Sequence, residues 1–224
     1  LIRAVIFDLD GLMIDSEPLS FRAWREIVRA HGGELSPSEY GPMIGMDNRQ
    51  AAALIASKLP QPADPAELDA EHWRRMIEFV EAEGRPEPGL MPLLRELEDR
   101  GLRLGVASNS PLHYVRAALA ALGLEGRFGS VRSAQSVARS KPAPDVFLAV
   151  AEDLAVAPAA CLAVEDSPAG LAAARAAGMR TVAIPNRQLG RDDFRGADHI
   201  FPSLEAFRRR LAEVLAASQE ASAP

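Results

Sequence analysis

The sequence predicts an α/β fold: a Rossmann-like parallel sheet core with a helical cap domain inserted after its first strand. Three observations predict it. An apolar run at 4–9 reads as a short buried strand. The following stretch, 16–83, carries helical periodicity and no strand pattern. From 102 onward, short apolar runs alternate with helical patterns, which argues for parallel strands joined by crossover helices. The first strand finds no partner in the helical stretch, so it belongs to the later sheet. The core is then 1–15 plus 88–224 and the cap is 16–87, with hinge strings at 11–18 and 84–89.

Each element has a local reason. Asp15-Ser16-Glu17-Pro18 marks a helix start, with Ser16 as the cap and a proline in the first turn. Phe21, Trp24, Ile27 and Val28 recur at helical spacing, and Gly32-Gly33 ends that helix. Further helices are expected at 47–58 and 65–83, and both tryptophans, Trp24 and Trp73, fall in this segment. Gly84-Arg85-Pro86-Glu87-Pro88-Gly89 reads as a linker. Strands follow at 102–107, 130–133, 161–164, 180–184 and 199–201. Helices are expected at 111–122, 144–154, 168–177 and 204–217, the first and third of them closed by Gly123 and Gly178. Beyond Ser218 a disordered tail is expected.

Composition narrows the function. At 224 residues with 48% apolar and 25% charged residues, the chain is an ordinary soluble globular protein. It lacks an apolar run near the ~20 residues that span a bilayer. Nor does a basic segment precede a longer apolar one at the amino end, so no signal peptide is expected. A net charge of −6 disfavours nucleic acid or an anionic membrane as the main partner. The single cysteine, Cys161, rules out an internal disulfide, reads as a buried small apolar side chain, and points to a cytoplasmic setting. Only Lys58 and Lys141 are lysines, every other cation being arginine, so a lysine at a special place is worth noting.

Open parallel sheets bind ligands beyond the carboxyl ends of their strands. Three apolar runs end in polar clusters there: Asp8-Leu9-Asp10-Gly11, Ser108-Asn109-Ser110 and Glu165-Asp166-Ser167. A fourth, Ser140-Lys141-Pro142, precedes a helix. Taken singly, each residue is more simply a turn, a cap or a surface group. Together they make a site for a divalent cation and a phosphate. Asp8 and Asp10 alternate on one strand and so are expected to point the same way. Carboxylate oxygens suit Mg2+, with Asp166 completing the protein's share of the shell. A carboxylate also attacks phosphorus, dividing one hard step into two, while a second gives and takes the proton. Ser108, the amides of Asn109 and Ser110, and Lys141 are placed to hold the phosphoryl oxygens.

The stretches 8–18, Ala107-Ser108-Asn109-Ser110, Ser140-Lys141-Pro142-Ala143-Pro144-Asp145 and Glu165-Asp166-Ser167-Pro168-Ala169-Gly170 resemble the four motifs of the haloacid dehalogenase-like hydrolase superfamily. The helical insertion is similar to the small cap of its phosphatase and β-phosphoglucomutase branch. The resemblance implies that Asp8 is the nucleophile, Asp10 the general acid/base, and Ser108, Asn109 and Lys141 the phosphate-binding residues. It also implies Mg2+ held by Asp8, the main-chain carbonyl of Asp10, Asp166 and Glu165, the last in or just outside the first shell. Glu17 and Arg49 are the candidate substrate contacts, Arg49 because 45–49 resembles the branch's specificity loop. The cap closes over a small phosphorylated substrate, and a monomer is expected because the cap needs freedom to move.

The mutases of this branch carry a histidine where this chain has Ser20 and a lysine where it has Ile44. Arg49 also lies one residue further from the loop glycine than in the mutases. These departures favour hydrolysis of a small phosphomonoester, in the manner of a sugar phosphatase, over a mutase. A dehalogenase does not need Asp10 or the metal carboxylates. A phospho-receiver is about half this length and lacks the insertion.

Overall fold

The apolar runs form strands β1 (Ala4–Phe7), β2 (Arg103–Ser108), β3 (Ser130–Ser133), β4 (Cys161–Glu165), β5 (Arg180–Ala183) and β6 (His199–Ile200). The computed structural model describes residues 1–185 and 191–220. Among these residues the strands make one parallel sheet in the order β3-β2-β1-β4-β5-β6. The order reverses between β1 and β4, and that reversal opens a crevice at their carboxyl ends. Phe7 pairs with Val106 on one side and Val164 on the other, so the residues just beyond all three reach the same level.

Period-two alternation divides the sheet into two buried faces. Val5 and Phe7 face one way, packed with Val106 and Val164 under α5 (Leu90–Asp99) and α6 (Leu112–Ala121). Ala4 and Ile6 face the other way, toward α7 (Asp145–Asp153) and α8 (Pro168–Ala176). That second face is lined by small residues, and a methyl on Gly105 would lie 2.4 Å from Val150 Cγ1, so close approach of α7 depends on its absence.

The stretch between β1 and α5 is helical, as expected: α1 (Glu17–Ala30), α2 (Pro37–Tyr40), α3 (Asn48–Lys58) and α4 (Pro65–Glu83). Trp24, Ile27, Ala52, Ile55 and Leu68 form a hydrophobic cluster of their own. The far end of α4, with Met76, Phe79 and Val80, instead packs on the main core. At the α1–α4 seam, His72 is buried, stacked on Trp24 at 4.5 Å and hydrogen-bonded through Nε2 to Ser20 Oγ at 3.1 Å. Its Nδ1 has no partner among the described residues.

Burial pushes the His72 pKa down to about 3. The unfolded chain therefore takes up a proton near pH 6.5 that the folded chain refuses, so stability is present above that pH and lost as pH falls toward 3. Between pH 8 and pH 5 this costs about 2 kcal/mol. In urea titrations at those two pH values, His72→Leu is expected to lose about that much less than the wild type. Equal losses in the two proteins would assign the acid sensitivity to other groups.

Several local expectations change. α5 is an additional helix in the stretch after the linker, with Leu90, Leu93, Leu94 and Leu97 at helical spacing and buried. The linker composition masked it, because Gly89 serves as its start at φ 89°, where a side chain would collide with the Glu205 backbone at 2.7 Å. α2 is too short for periodicity to reveal and rests on a capping box between Ser36 and Glu39. Ser16 stands at the start of α1 in helical conformation and makes no side-chain cap. The last helix is two pieces, α9 (Leu204–Arg209) and α10 (Leu211–Glu220), so helix continues past Ser218, and 221–224 lie outside the described residues. Among the described residues no helix is long and apolar enough to cross a membrane.

Candidate active site

Strand β1 ends at Phe7, short of the expected end at residue 9, yet the Asp8 amide still bonds the Val164 carbonyl at 3.0 Å. Asp8 is thereby held at the mouth of the crevice between β1 and β4. It is buried, as are Glu165 and Asp166 at the end of β4. One carboxylate oxygen from each of the three lies within 4.8 Å of the others. Lys141 reaches this cluster from the loop before α7. Its Nζ donates to Asp8 Oδ1 at 2.5 Å, Glu165 Oε1 at 2.5 Å and the Ala107 carbonyl at 2.8 Å. All three ammonium protons are thus committed. The Phe147 ring lies beneath the ammonium, 4.9 Å from its centroid.

Three buried carboxylates against one buried cation leave negative charge uncompensated. Burial raises the Asp8 pKa to about 7; Lys141 opposes the rise, and Glu165 and Asp10 add to it. Burial likewise holds Asp166 well above the carboxylate range, with Asp8 and Glu165 reinforcing it. Lys141 is raised by Asp8 and Glu165 against the cost of its own burial. A set of hard oxygen donors with excess negative charge fits a divalent cation such as Mg2+.

Gly170 makes room for this arrangement. A Cβ there would sit 2.0 Å from the Glu165 carboxyl group, which Lys141 and Ser167 hold in place. Gly170→Ala should therefore displace Glu165 and weaken Mg2+ binding by about tenfold or more, as losses around a metal site commonly do. Titration calorimetry checks this, and unchanged affinity would remove Glu165 from the metal site.

The other expected residues are placed as follows. Ser108 is buried beside the cluster, but its Oγ accepts the Ser110 amide at 3.0 Å, so that amide is not turned toward a ligand as expected. The Asn109 side chain instead brackets Lys141, accepting its amide at 3.0 Å and donating to its carbonyl at 3.3 Å. Asp10 departs most from expectation. Because the strand stops at Phe7, two-residue alternation does not carry through to Asp10, which lies in a tight turn bridged to Ile14. Its carboxylate stands outside the three-carboxylate cluster and accepts from Ser110 Oγ at 2.6 Å and Tyr114 Oη at 2.7 Å.

Glu17 opens α1 and accepts from the Tyr40 hydroxyl at 3.0 Å. Burial raises its carboxyl above the ordinary value; Tyr40 pulls it down, and the charges of Asp10 and Asp15 push it up. Beside it, Phe21, Tyr40, Pro37 and Ile44 line a cleft of about 260 Å³. Arg49 is not among its walls: it is exposed in the first turn of α3, its amide capped by Asp47.

Tyr114 escaped the sequence reading. The signal was its position four residues after Ser110, which puts both hydroxyls at one end of α6. Gly170 ends the motif that begins at Glu165, and its steric role has no signal in the sequence.

A parallel sheet with an acidic, lysine-bridged crevice at its switch point, interrupted by a helical insertion, marks an α/β enzyme built around carboxylates. The chain belongs to the haloacid dehalogenase-like hydrolase family, whose sequence model matches residues 2–178. It is similar to hexitol phosphatase B of Escherichia coli K12, with 36% identity over 82% of this chain and 84% of the relative. It is also similar to protein CbbY of Rhodobacter capsulatus, with 35% identity over 92% and 95%. A crystal structure of a CbbY variant from Rhodobacter sphaeroides, in complex with xylulose-(1,5)-bisphosphate, superposes with a TM-score of 0.83. It shares 28% identity over 92% of this chain and 96% of that one.

Proposed function

We propose that this protein is a Mg2+-dependent phosphatase that hydrolyses a small phosphorylated sugar or sugar alcohol through an aspartyl-phosphate on Asp8. The convergence of Asp8, Glu165 and Asp166 on the ammonium of Lys141 carries this reading. Asp8, the main-chain carbonyl of Asp10, Asp166 and Glu165 are the residues that would hold the ion. Its charge would offset that of the carboxylates and of the phosphoryl group.

An Asp8 oxygen attacks phosphorus as the bond to the ester oxygen breaks, and Asp10 delivers a proton to that departing oxygen. Asp10 then takes a proton from water, which attacks the aspartyl-phosphate and releases inorganic phosphate. Lys141 exchanges its bond with Asp8 for the phosphoryl oxygens, and Ser108 supports them from β2. Asn109 acts on the phosphate indirectly, by fixing the Lys141 backbone. The helical segment 16–87 serves as the cap. Glu17 offers an acceptor to sugar hydroxyls, and Phe21 and Tyr40 offer apolar surface to the ring or chain. The names of the relatives, a hexitol phosphatase and a sugar-bisphosphate complex, support that substrate class.

A mutase reading draws on one observation, that His72 lies hydrogen-bonded to Ser20, the position where mutases carry histidine. Its burial and its stacking on Trp24 keep it from contacting substrate, which favours hydrolysis. The test is phosphate release from a panel of sugar and polyol phosphates, with Mg2+ and with chelator, including β-glucose 1-phosphate followed for glucose 6-phosphate. Mg2+-dependent phosphate release is expected. Glucose 6-phosphate formed without free phosphate would replace the phosphatase with a mutase.

A further inference from the structure

We propose that Tyr114 is a positioning residue for Asp10 that couples the helical cap to proton delivery. The inference rests on the acid/base role given to Asp10 above and adds a residue that carries no such role in the four motifs.

Both Asp10 oxygens are engaged from α6 and the turn before it, Oδ1 by the Tyr114 hydroxyl at 2.7 Å and Oδ2 by Ser110 Oγ at 2.6 Å. Two donors on different oxygens fix the carboxylate in rotation as well as in place. Here they hold it clear of the Asp8, Glu165 and Asp166 cluster. Tyr114 is fully buried, so its hydroxyl has little freedom to turn elsewhere. The Tyr114 ring also meets the helical segment: Trp73 of α4 lies against it, with centroids 5.0 Å apart at 50°. Trp73 is itself anchored on its own helix by Nε1 donating to Asp69 at 3.1 Å. A rigid aromatic pair therefore runs from the cap helix to the proton-handling carboxylate. A shift of α4 over the core changes the support behind Tyr114 and, through its hydroxyl, the orientation of Asp10.

The test uses the leaving group. An alkyl phosphate needs a proton on its departing oxygen, whereas p-nitrophenyl phosphate releases an oxygen that departs without one. The ratio kcat/KM covers only steps through formation of the aspartyl-phosphate. Wild-type phosphate release from both esters establishes the phosphatase reading; release from neither sinks that reading and this inference with it. In an active enzyme, Tyr114→Phe keeps the ring against Trp73 and removes only the hydroxyl. It should lower kcat/KM for a hexitol phosphate by about tenfold or more, within the range that acid catalysis contributes. For the aryl ester the change should stay within about threefold. Ser110→Ala, which frees the other oxygen, should show the same selectivity. Trp73→Leu should show it too, and less than additively with Tyr114→Phe. Equal losses on both esters, or none, overturn the positioning role, and full additivity with Trp73→Leu overturns the link to the cap.

Discussion

Asp8→Asn should reduce Mg2+-dependent phosphate release by about a thousandfold or more, the scale on which loss of a nucleophile is felt. The amide has neither the nucleophilic oxygen nor the charge. Stability should not fall with it. Burial holds the Asp8 carboxyl near a pKa of about 7, so keeping it ionised among Glu165 and Asp166 works against the fold. The amide oxygen still accepts from Lys141, and Glu165 still neutralises that cation. Thermal melting in chelator should therefore show the variant at or above the wild type, with a circular dichroism spectrum like that of the wild type. Activity within tenfold of wild type would exclude Asp8 as the nucleophile. A collapsed melting point would mean that the Asp8–Lys141 pair is structural first.

Lys141→Met is the second large effect, and it runs in the opposite direction. The side chain is 3% exposed and its ammonium is the counter-charge at 2.5 Å to two carboxylates. Methionine fills most of the space against Phe147 but leaves Asp8, Glu165 and Asp166 facing one another uncompensated. Removing one partner of a buried ion pair typically costs about 3–5 kcal/mol. Denaturant titration in chelator should show a loss of that size, and turnover should fall below detection. Because Mg2+ brings two positive charges to the same carboxylates, it should restore part of the lost stability in this variant, by more than it stabilises the wild type. A variant as stable as wild type in chelator would show that the carboxylates are protonated and need no cation. Failure of Mg2+ to recover any stability would separate the Lys141 cluster from the metal site.

Much of the site is legible in the sequence. Asp8, Ser108 and Glu165-Asp166 each follow an apolar run short enough to be a buried strand, and parallel strands bring such ends together. Lys141 stood out because lysine is rare in this chain. The helical insertion was legible from period alone, since Phe21, Trp24, Ile27 and Val28 repeat as a helix does. α5 was hidden by the glycine and prolines that precede it, which describe a linker and a helix start equally well.

Residue types, their order along the chain and the strand ends they occupy were determined by the sequence itself, because hydrophobic period and turn chemistry act over a few residues. Only the tertiary structure decided which groups touch. The sheet order placed β4 beside β1, so that Glu165 and Asp8 share one ammonium. With β1 ending at Phe7, Asp10 stands outside the three-carboxylate cluster and bonds Ser110 and Tyr114, partners about a hundred residues distant. The absence of a side chain on Gly170 settled where Glu165 could lie. Such contacts depend on where the backbone leaves each strand and how closely the layers pack, and neither quantity is local.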